Sequence, residues 1–526
     1  MKEKLTQRWL FPPSWLSFLF IVLLILGIFF RFSNLDRKVY WHDEVFTSLR
    51  MSGYTWKEVK PKLWNGNLIK PEDIQAYQYP IPEKGFNDTL QAFIQEDPQH
   101  PPIYYMIVRI WVQLFGDSVA VIRSVSALIS LLVFPAIYWL CLELFESSLI
   151  GWVAIALVAV SPIHVVFAQE ARELSLWMVV TLLSSAALLR AIRLQTKVSW
   201  GIYAATLALG LYSFPLLSLT ALGHGIYIIV AERLHWKKNL TSYVLALLAG
   251  VVAFLPWIFV ILNGLGKAKG TTEWSSVRVP LSRLVKSWAG NISRIFFDIN
   301  LDASDPLIYS VPPTLIILGI VIYSFYSLYT SQKKAFLFLS TLVGVPALAL
   351  ILPDFILGGI RSTVPRYLIP CYLGILITVA YLIGRKILSV KGLDRNLGKA
   401  LMVILLSAGV VSCAVSSQAD TWWNKKESDT NPQLARIINQ AQQPLVIGSD
   451  AGTSPGNLFS LSYLLDPKVR LELVTEPEIP KIPQGFSDVF VYDPSETLKS
   501  GIEREYNTSL ERVDPSGVRL WKLKSQ

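Results

Sequence analysis

Apolar runs of about 20 residues recur along this chain, and no other feature limits its fold as strongly. They lie at about 15–32, 119–142, 148–167, 173–193, 241–262, 307–329, 335–353, 367–385 and 399–416, each long enough to cross roughly 30 Å of hydrocarbon as a helix. Residues 199–231, interrupted by Pro215, fit two shorter spans joined at "YSFP". Inside a bilayer every backbone polar group must be satisfied internally, and runs of this length do so as helices. The expectation is a polytopic α-helical membrane protein of about 11 transmembrane helices. Composition agrees: 52% of the residues are hydrophobic and 16% charged, a balance foreign to soluble domains of this size. The first run follows a basic start and is trailed by no small-x-small cleavage site, so it reads as an uncleaved span rather than a signal peptide.

Topology turns on "IYYMIVRIWVQLFG", residues 103–116, which is apolar but short and carries Arg109 at its middle. An arginine at the bilayer centre costs a few kcal/mol or more, so this segment is expected to lie along the surface as an amphipathic helix. The clusters Arg190/Arg193/Lys197, Arg233/Lys237/Lys238, Lys333/Lys334 and Arg385/Lys386/Lys391/Arg395/Lys399 then all fall on the side of Lys2, Lys4 and Arg8, as the positive-inside rule requires. If 103–116 crossed, every cluster would lie outside. The N-terminus is therefore placed inside and the C-terminus outside, with a long first outer loop at 33–118.

The net charge of +10 sits in these short clusters rather than in a basic stripe interleaved with aromatics, so nucleic acid is not an expected partner. Cys141, Cys371 and Cys413 fall inside apolar runs without metal or disulfide spacing. Residues 1–418 are assigned to the membrane domain with its outer loop. Residues 419–526 are assigned to a small C-terminal extracytoplasmic α/β domain, from the strand-like "PLVIGSD", "VRLELV", "DVFVYD" and "VRLWKL" and the helix-like "NPQLARIINQ" and "SETLKSGIEREY".

Four clusters gather on the outer face. "WHDEVFTSL" sets Asp43 and Glu44 just past the first span, where a carboxylate can serve as general base or simply favour a helix N-terminus. "EDPQHPPIYY" brings His100 before two prolines that also suit a helix start. "SPIHVVFAQEAREL" places Gln169, Glu170, Arg172 and Glu173 at the outer end of a span, while His164 reads as a core histidine. "GGIRSTVPRYLIP" offers Arg361 and Arg366, suited to a phosphate at headgroup depth. Contact with membrane headgroups, with Tyr367 as an interfacial anchor, explains them equally well singly. No GxxxxGK[ST] loop is present, so ATP is not an expected driver.

At these residues the chain resembles the membrane glycosyltransferases of the GT-C fold, in particular the group of protein O-mannosyltransferases and aminoarabinose transferases. The carriers are "WHDE", "HPPIYYMIVRIWVQLFGDS" with "IRSVSAL", "SPIHVVFAQEARELSL" and "PRYLIP", in the family's order. The resemblance implies a polyprenyl-phosphate-sugar donor used on the extracytoplasmic side of the plasma membrane, with inversion. Asp43 would act as base or orienter, with Glu44 as its partner. Arg366, then Arg172 and Arg361, would steady the departing phosphate, while His100, Glu170 and Tyr367 line the site. It points to chemistry requiring no cofactor, although a divalent metal could sit near Asp43 and Glu44. Two departures stand out: Glu143 and Glu146 occupy a loop where basic residues are usual, and the tail shows no likeness to MIR domains. The acceptor, whether lipid, glycan or protein, stays open. The rival reading is a lipid or glycolipid transporter without chemistry, against which stand the large outer loop, the outer domain and the scarcity of charge inside the spans.

Overall fold

The computed structural model describes residues 14–233, 235–301, 305–513 and 519–524; Lys2, Lys4 and Arg8, on which the inside assignment leans, lie outside the described residues. The chain forms two compact units, one of residues 1–33, 97–104 and 123–418, the other of 34–96, 105–122 and 419–526.

The first unit is helical. A helix occupies each expected run, including Lys197–Ser213 and Leu217–Ala231 on either side of Pro215. Among the described residues seven helices are long and apolar enough to cross a membrane, or eight when the bent pair Ser148–Ala159 and Pro162–Ala168 counts as one span. Helix Ile369–Ile387 is buried along most of its length. It packs on Ser148–Ala159, Leu307–Ser331, Lys333–Leu357 and Gly392–Ser417. Lys238–Asn263 and Leu307–Ser331 instead leave large apolar side chains such as Leu248, Val252, Ile316 and Ile322 exposed, the surface that lipid covers. The acids at "LELFESS" have an answer in the fold: Arg193 forks onto Glu143 with Nε–Oε2 and Nη2–Oε1 distances of 2.9 and 2.7 Å.

The second unit carries a six-stranded sheet: β1 (Leu68–Ile69), β2 (Pro444–Ser449), β3 (Arg470–Val474), β4 (Asp488–Tyr492), β5 (Leu510–Arg512) and β6 (Leu520–Leu523), in the order β1-β3-β2-β4-β6-β5. β2 lies parallel to both β3 and β4, and the outer strands are antiparallel. Leu445 and Ile447 of β2 join Val491, Leu498, Ile502 and Leu510 in one core, while Gly448 faces Leu458 of helix Ser454–Ser462. The first outer loop thus differs from its assignment to the membrane domain. Residues 34–96 fall in one unit with the tail, and Leu68 and Ile69 supply its edge strand by pairing with Glu472 and Leu471.

Residues 103–115 are helical, but their charge is turned inward. Arg109 is 1% exposed and donates Nη1 to the carbonyl of Met51 and to Thr89 Oγ1, both at 2.9 Å, and Nη2 to the carbonyl of Lys84. The exposed face is the apolar one, with Ile107, Ile110 and Leu114. The arginine is thus held by the carbonyls of Met51 and Lys84 and by Thr89, and the apolar face is left outward.

Glu472 on β3 is 1% exposed. Burial lifts its pKa from an ordinary 4.5 to about 7, against the pull of the Lys481 amide that donates to Oε1 at 2.9 Å. Between those two pH values the folded chain holds a proton that the unfolded chain has released. The group's contribution is therefore full below about pH 4.5 and is lost as pH rises through 7. Glu472→Gln should leave unfolding of this unit nearly unchanged at pH 5 and stabilise it by about 1–2 kcal/mol at pH 8. Equal shifts at both pH values in denaturant melts of the full chain would refute this.

Candidate functional site

The sequence-predicted residues divide between the two units. Asp43 and Glu44 lie in the first turn of helix His42–Met51 in the sheet-bearing unit. His100, Glu170, Arg172, Arg361, Arg366 and Tyr367 lie in the helical unit.

In the helical unit the site begins with a break in a span. Pro162 cannot donate a helical hydrogen bond, and the chain bends by 63° between Ser148–Ala159 and Pro162–Ala168. Arg31, at the end of the first span, takes up the carbonyls freed there: Nη1 donates to Ala159 at 2.7 Å and Nη2 to Val158 at 3.0 Å, while Nη1 also donates to Gly27 of its own helix at 2.8 Å. Gln169 Nε2 then ties the following turn to the carbonyls of Phe30 and Ser33 at 2.8 and 2.9 Å. His164 is buried and sits 2.7 Å from Ser161 Oγ.

The anchored turn presents Glu170, Arg172 and Glu173, all buried. Arg172 Nε lies 3.3 Å from Glu173 Oε2. His100 Nδ1 is 3.2 Å from Glu173 Oε1, and its Nε2 is 3.4 Å from Arg172 Nη2. The imidazole therefore bridges a cation and an anion. Arg172 and His100 together answer the buried Glu173 carboxylate. His100 itself is placed by its loop: Trp257 Nε1 donates to the Pro98 carbonyl at 3.0 Å. Arg172 is steadied through its own carbonyl, which accepts from Ser126 Oγ at 3.0 Å, itself 2.7 Å from Tyr104 OH.

An aromatic link joins this triad to the late motif. The Phe214 ring lies 6.4 Å from that of His100 and 6.5 Å from that of Tyr367, near-parallel to each, and 4.6 Å from Trp177. Arg366 in turn sits 5.6 Å from the Tyr367 ring and 6.0 Å from that of Trp274. Histidine, two arginines and a tyrosine that the sequence scatters over 268 positions are thus brought into one string. Phe214 was legible only as part of a turn, and Trp274 carried no signal. Arg361 stands apart: Nη1 donates to Asp354 Oδ1 at 3.1 Å and Nη2 to Ser276 Oγ at 2.7 Å, while the Ser362 amide donates to Asp354 Oδ2 at 2.6 Å. Its guanidinium holds the loop that precedes "PRYLIP".

In the sheet-bearing unit Asp43 is half-buried and Glu44 fully buried. Glu44 Oε2 lies 3.0 Å from Lys425 Nζ and 3.4 Å from the Trp41 amide. Asp43 occupies the same first turn of the helix. Among the described residues no three His, Cys, Asp or Glu side chains group as a metal site.

Residues 99–259 match the model of the dolichyl-phosphate-mannose-protein mannosyltransferase family, a stretch that holds His100, Glu170, Arg172 and Phe214. No curated protein sequence gives a match. Among solved structures, ArnT from Cupriavidus metallidurans bound to undecaprenyl phosphate is 13% identical, aligns over 97% of this chain and 98% of its own, and has a TM-score of 0.53. The archaeal oligosaccharyltransferase AglB from Archaeoglobus fulgidus, in complex with an inhibitory peptide and a dolichol-phosphate, is 11% identical over 86% of this chain and 64% of its own, with a TM-score of 0.50. The chain therefore has the GT-C fold, and its residues 99–259 are similar to the dolichyl-phosphate-mannose-protein mannosyltransferases.

Proposed function

We propose that the chain transfers a sugar from a polyprenyl-phosphate-linked donor to an acceptor on the extracytoplasmic side of the plasma membrane, with inversion at the anomeric carbon. The observation that carries this reading is the string from Glu173 through Arg172, His100, Phe214 and Tyr367 to Arg366, on a chain whose fold matches ArnT over nearly its whole length. Arginines beside aromatic rings suit a leaving group that is a lipid phosphate, with ring faces against sugar or prenyl carbons. A carrier of that chemistry appears in both fold relatives, as undecaprenyl phosphate and as dolichol-phosphate.

In this reading the eleven helices each cross, the N-terminus is inside, and the outer unit faces the periplasmic or external space. Asp43 takes the proton from the acceptor nucleophile as that atom attacks the anomeric carbon. The bond to the phosphate oxygen breaks as the new glycosidic bond forms, and the phosphate leaves with its electron pair towards the arginines. Glu170 lines the site, and neither cofactor nor metal is required by these steps. The sugar, hexose or pentose, and the acceptor class are set by pocket shape.

The test supplies purified protein with polyprenyl-phosphate-sugar lipids labelled in the sugar, together with a membrane extract as acceptor. Label must move into a product that is not the donor lipid. Labelled lipid crossing the bilayer with no new product would favour a transporter and end the catalytic reading.

A further inference from the structure

The helix that carries Asp43 is seated by a segment far away in sequence. The last span ends at Ser417, and a short helical turn follows at Trp423–Ser428. Within that turn Lys425 Nζ meets Glu44 Oε2 at 3.0 Å, with side-chain exposures of 1% and 0%. The ammonium also lies 5.4 Å from the Trp41 ring. Ser428 Oγ accepts from the His42 amide at 3.0 Å and donates to Asn457 Oδ1 at 2.8 Å. At Gly456 the chain passes so close that an added Cβ would come within 2.3 Å of His42 Nδ1 and 2.8 Å of the Phe46 ring. Three separate points of the C-terminal segment thus bear on residues 41–46. A buried ion pair contributes little net stability, because desolvation of both charges offsets their attraction. What it fixes is geometry, since neither group can move without breaking the 3.0 Å contact.

We propose that Lys425 is a positioning residue for the transfer reaction: by holding Glu44 as a buried carboxylate it locks the first turn of helix His42–Met51 and so aims the Asp43 carboxylate. The C-terminal segment then belongs to the catalytic apparatus, and Glu44 exchanges no proton. This rests on the transferase reading, with Asp43 as base.

The test uses full-length Lys425→Met, Glu44→Gln, the double variant and Lys425→Arg. Amide hydrogen exchange over residues 42–50 needs no substrate; transfer of label is read as kcat and donor KM; binding of undecaprenyl phosphate is followed by tryptophan fluorescence. In Lys425→Met, exchange over 42–50 should rise at least tenfold. Its kcat should fall about 100-fold, as expected when a reacting group is misplaced, with donor KM and undecaprenyl phosphate binding within about threefold. The double variant leaves neither charge unpaired and should regain both protection and most of kcat, and Lys425→Arg should fall between. If a single variant loses protection across β2–β4 as well, it is unfolded, and the double variant decides. Wild-type exchange in Lys425→Met overturns the inference whatever the activity. So does a double variant that is protected yet as slow as the single ones, because Glu44 would then act chemically itself. Wild-type protein that transfers nothing, with Lys425→Met still loosening the helix, would remove the proposed activity and leave the seating of the helix standing.

Discussion

Asp43→Asn should abolish sugar transfer while leaving the lipid donor bound. The substitution keeps the size of the side chain and one acceptor oxygen but removes the only form that can take a proton, and loss of a general base lowers kcat by about 10²–10⁴. The fold should tolerate it. Asp43 is half-buried at a helix N-terminus, where losing its charge costs about 0.3–1 kcal/mol, whereas the buried ion pair beside it belongs to Glu44 and Lys425. The expected pattern is a kcat reduced by about three orders of magnitude, a donor KM within about threefold of wild type and a thermal midpoint lowered by a few degrees. A variant with wild-type kcat would remove Asp43 from the mechanism. A variant whose KM rises with kcat unchanged would recast it as a binding group.

What could be read beforehand was whatever follows from period and spacing. Apolar runs of about 20 residues mark helices without any knowledge of partners, and a helix stands at each of them. The tail's strands showed as short β-rich stretches, but β1 did not. Leu68 and Ile69 form a strand only because β3 offers an edge to them, and two residues carry no pattern. The inward turn of Arg109 was hidden for a related reason: its partners are carbonyls of Met51 and Lys84, far off in sequence and mute in composition. The same holds for the site. Motif order brought forward His100, Arg172 and Arg366, since charged groups beside membrane boundaries stand out. Phe214, which joins them, is one aromatic among 25 phenylalanines. Lys425 is one of two adjacent lysines, and only the fold picks the one that meets Glu44.

Arg366 and Arg361 sit five residues apart and should nonetheless fail differently. Arg366 lies 5.6 Å from the Tyr367 ring and 6.0 Å from the Trp274 ring, half-buried at the end of the string that begins at Glu173. Arg366→Ala should lower kcat by about 10²–10³, the usual consequence of deleting one donor to a developing negative charge. Arg366→Lys should regain part of this, because a point charge remains while the fork is lost. Arg361 is committed to Asp354, whose side chain is 0% exposed. Arg361→Ala leaves that carboxylate buried with the Ser362 amide bond of 2.6 Å still in place, a loss of about 1–3 kcal/mol for a buried group deprived of a partner whose own side chain is 31% exposed. Its signature is therefore a lowered melting temperature and less folded protein, with kcat per folded molecule falling less than in Arg366→Ala. Arg361→Ala/Asp354→Asn should recover stability, since no buried charge is left alone. The reverse outcome, a stable Arg361→Ala with kcat lost and an active Arg366→Ala, would exchange the two roles and place the phosphate against the 358–363 loop.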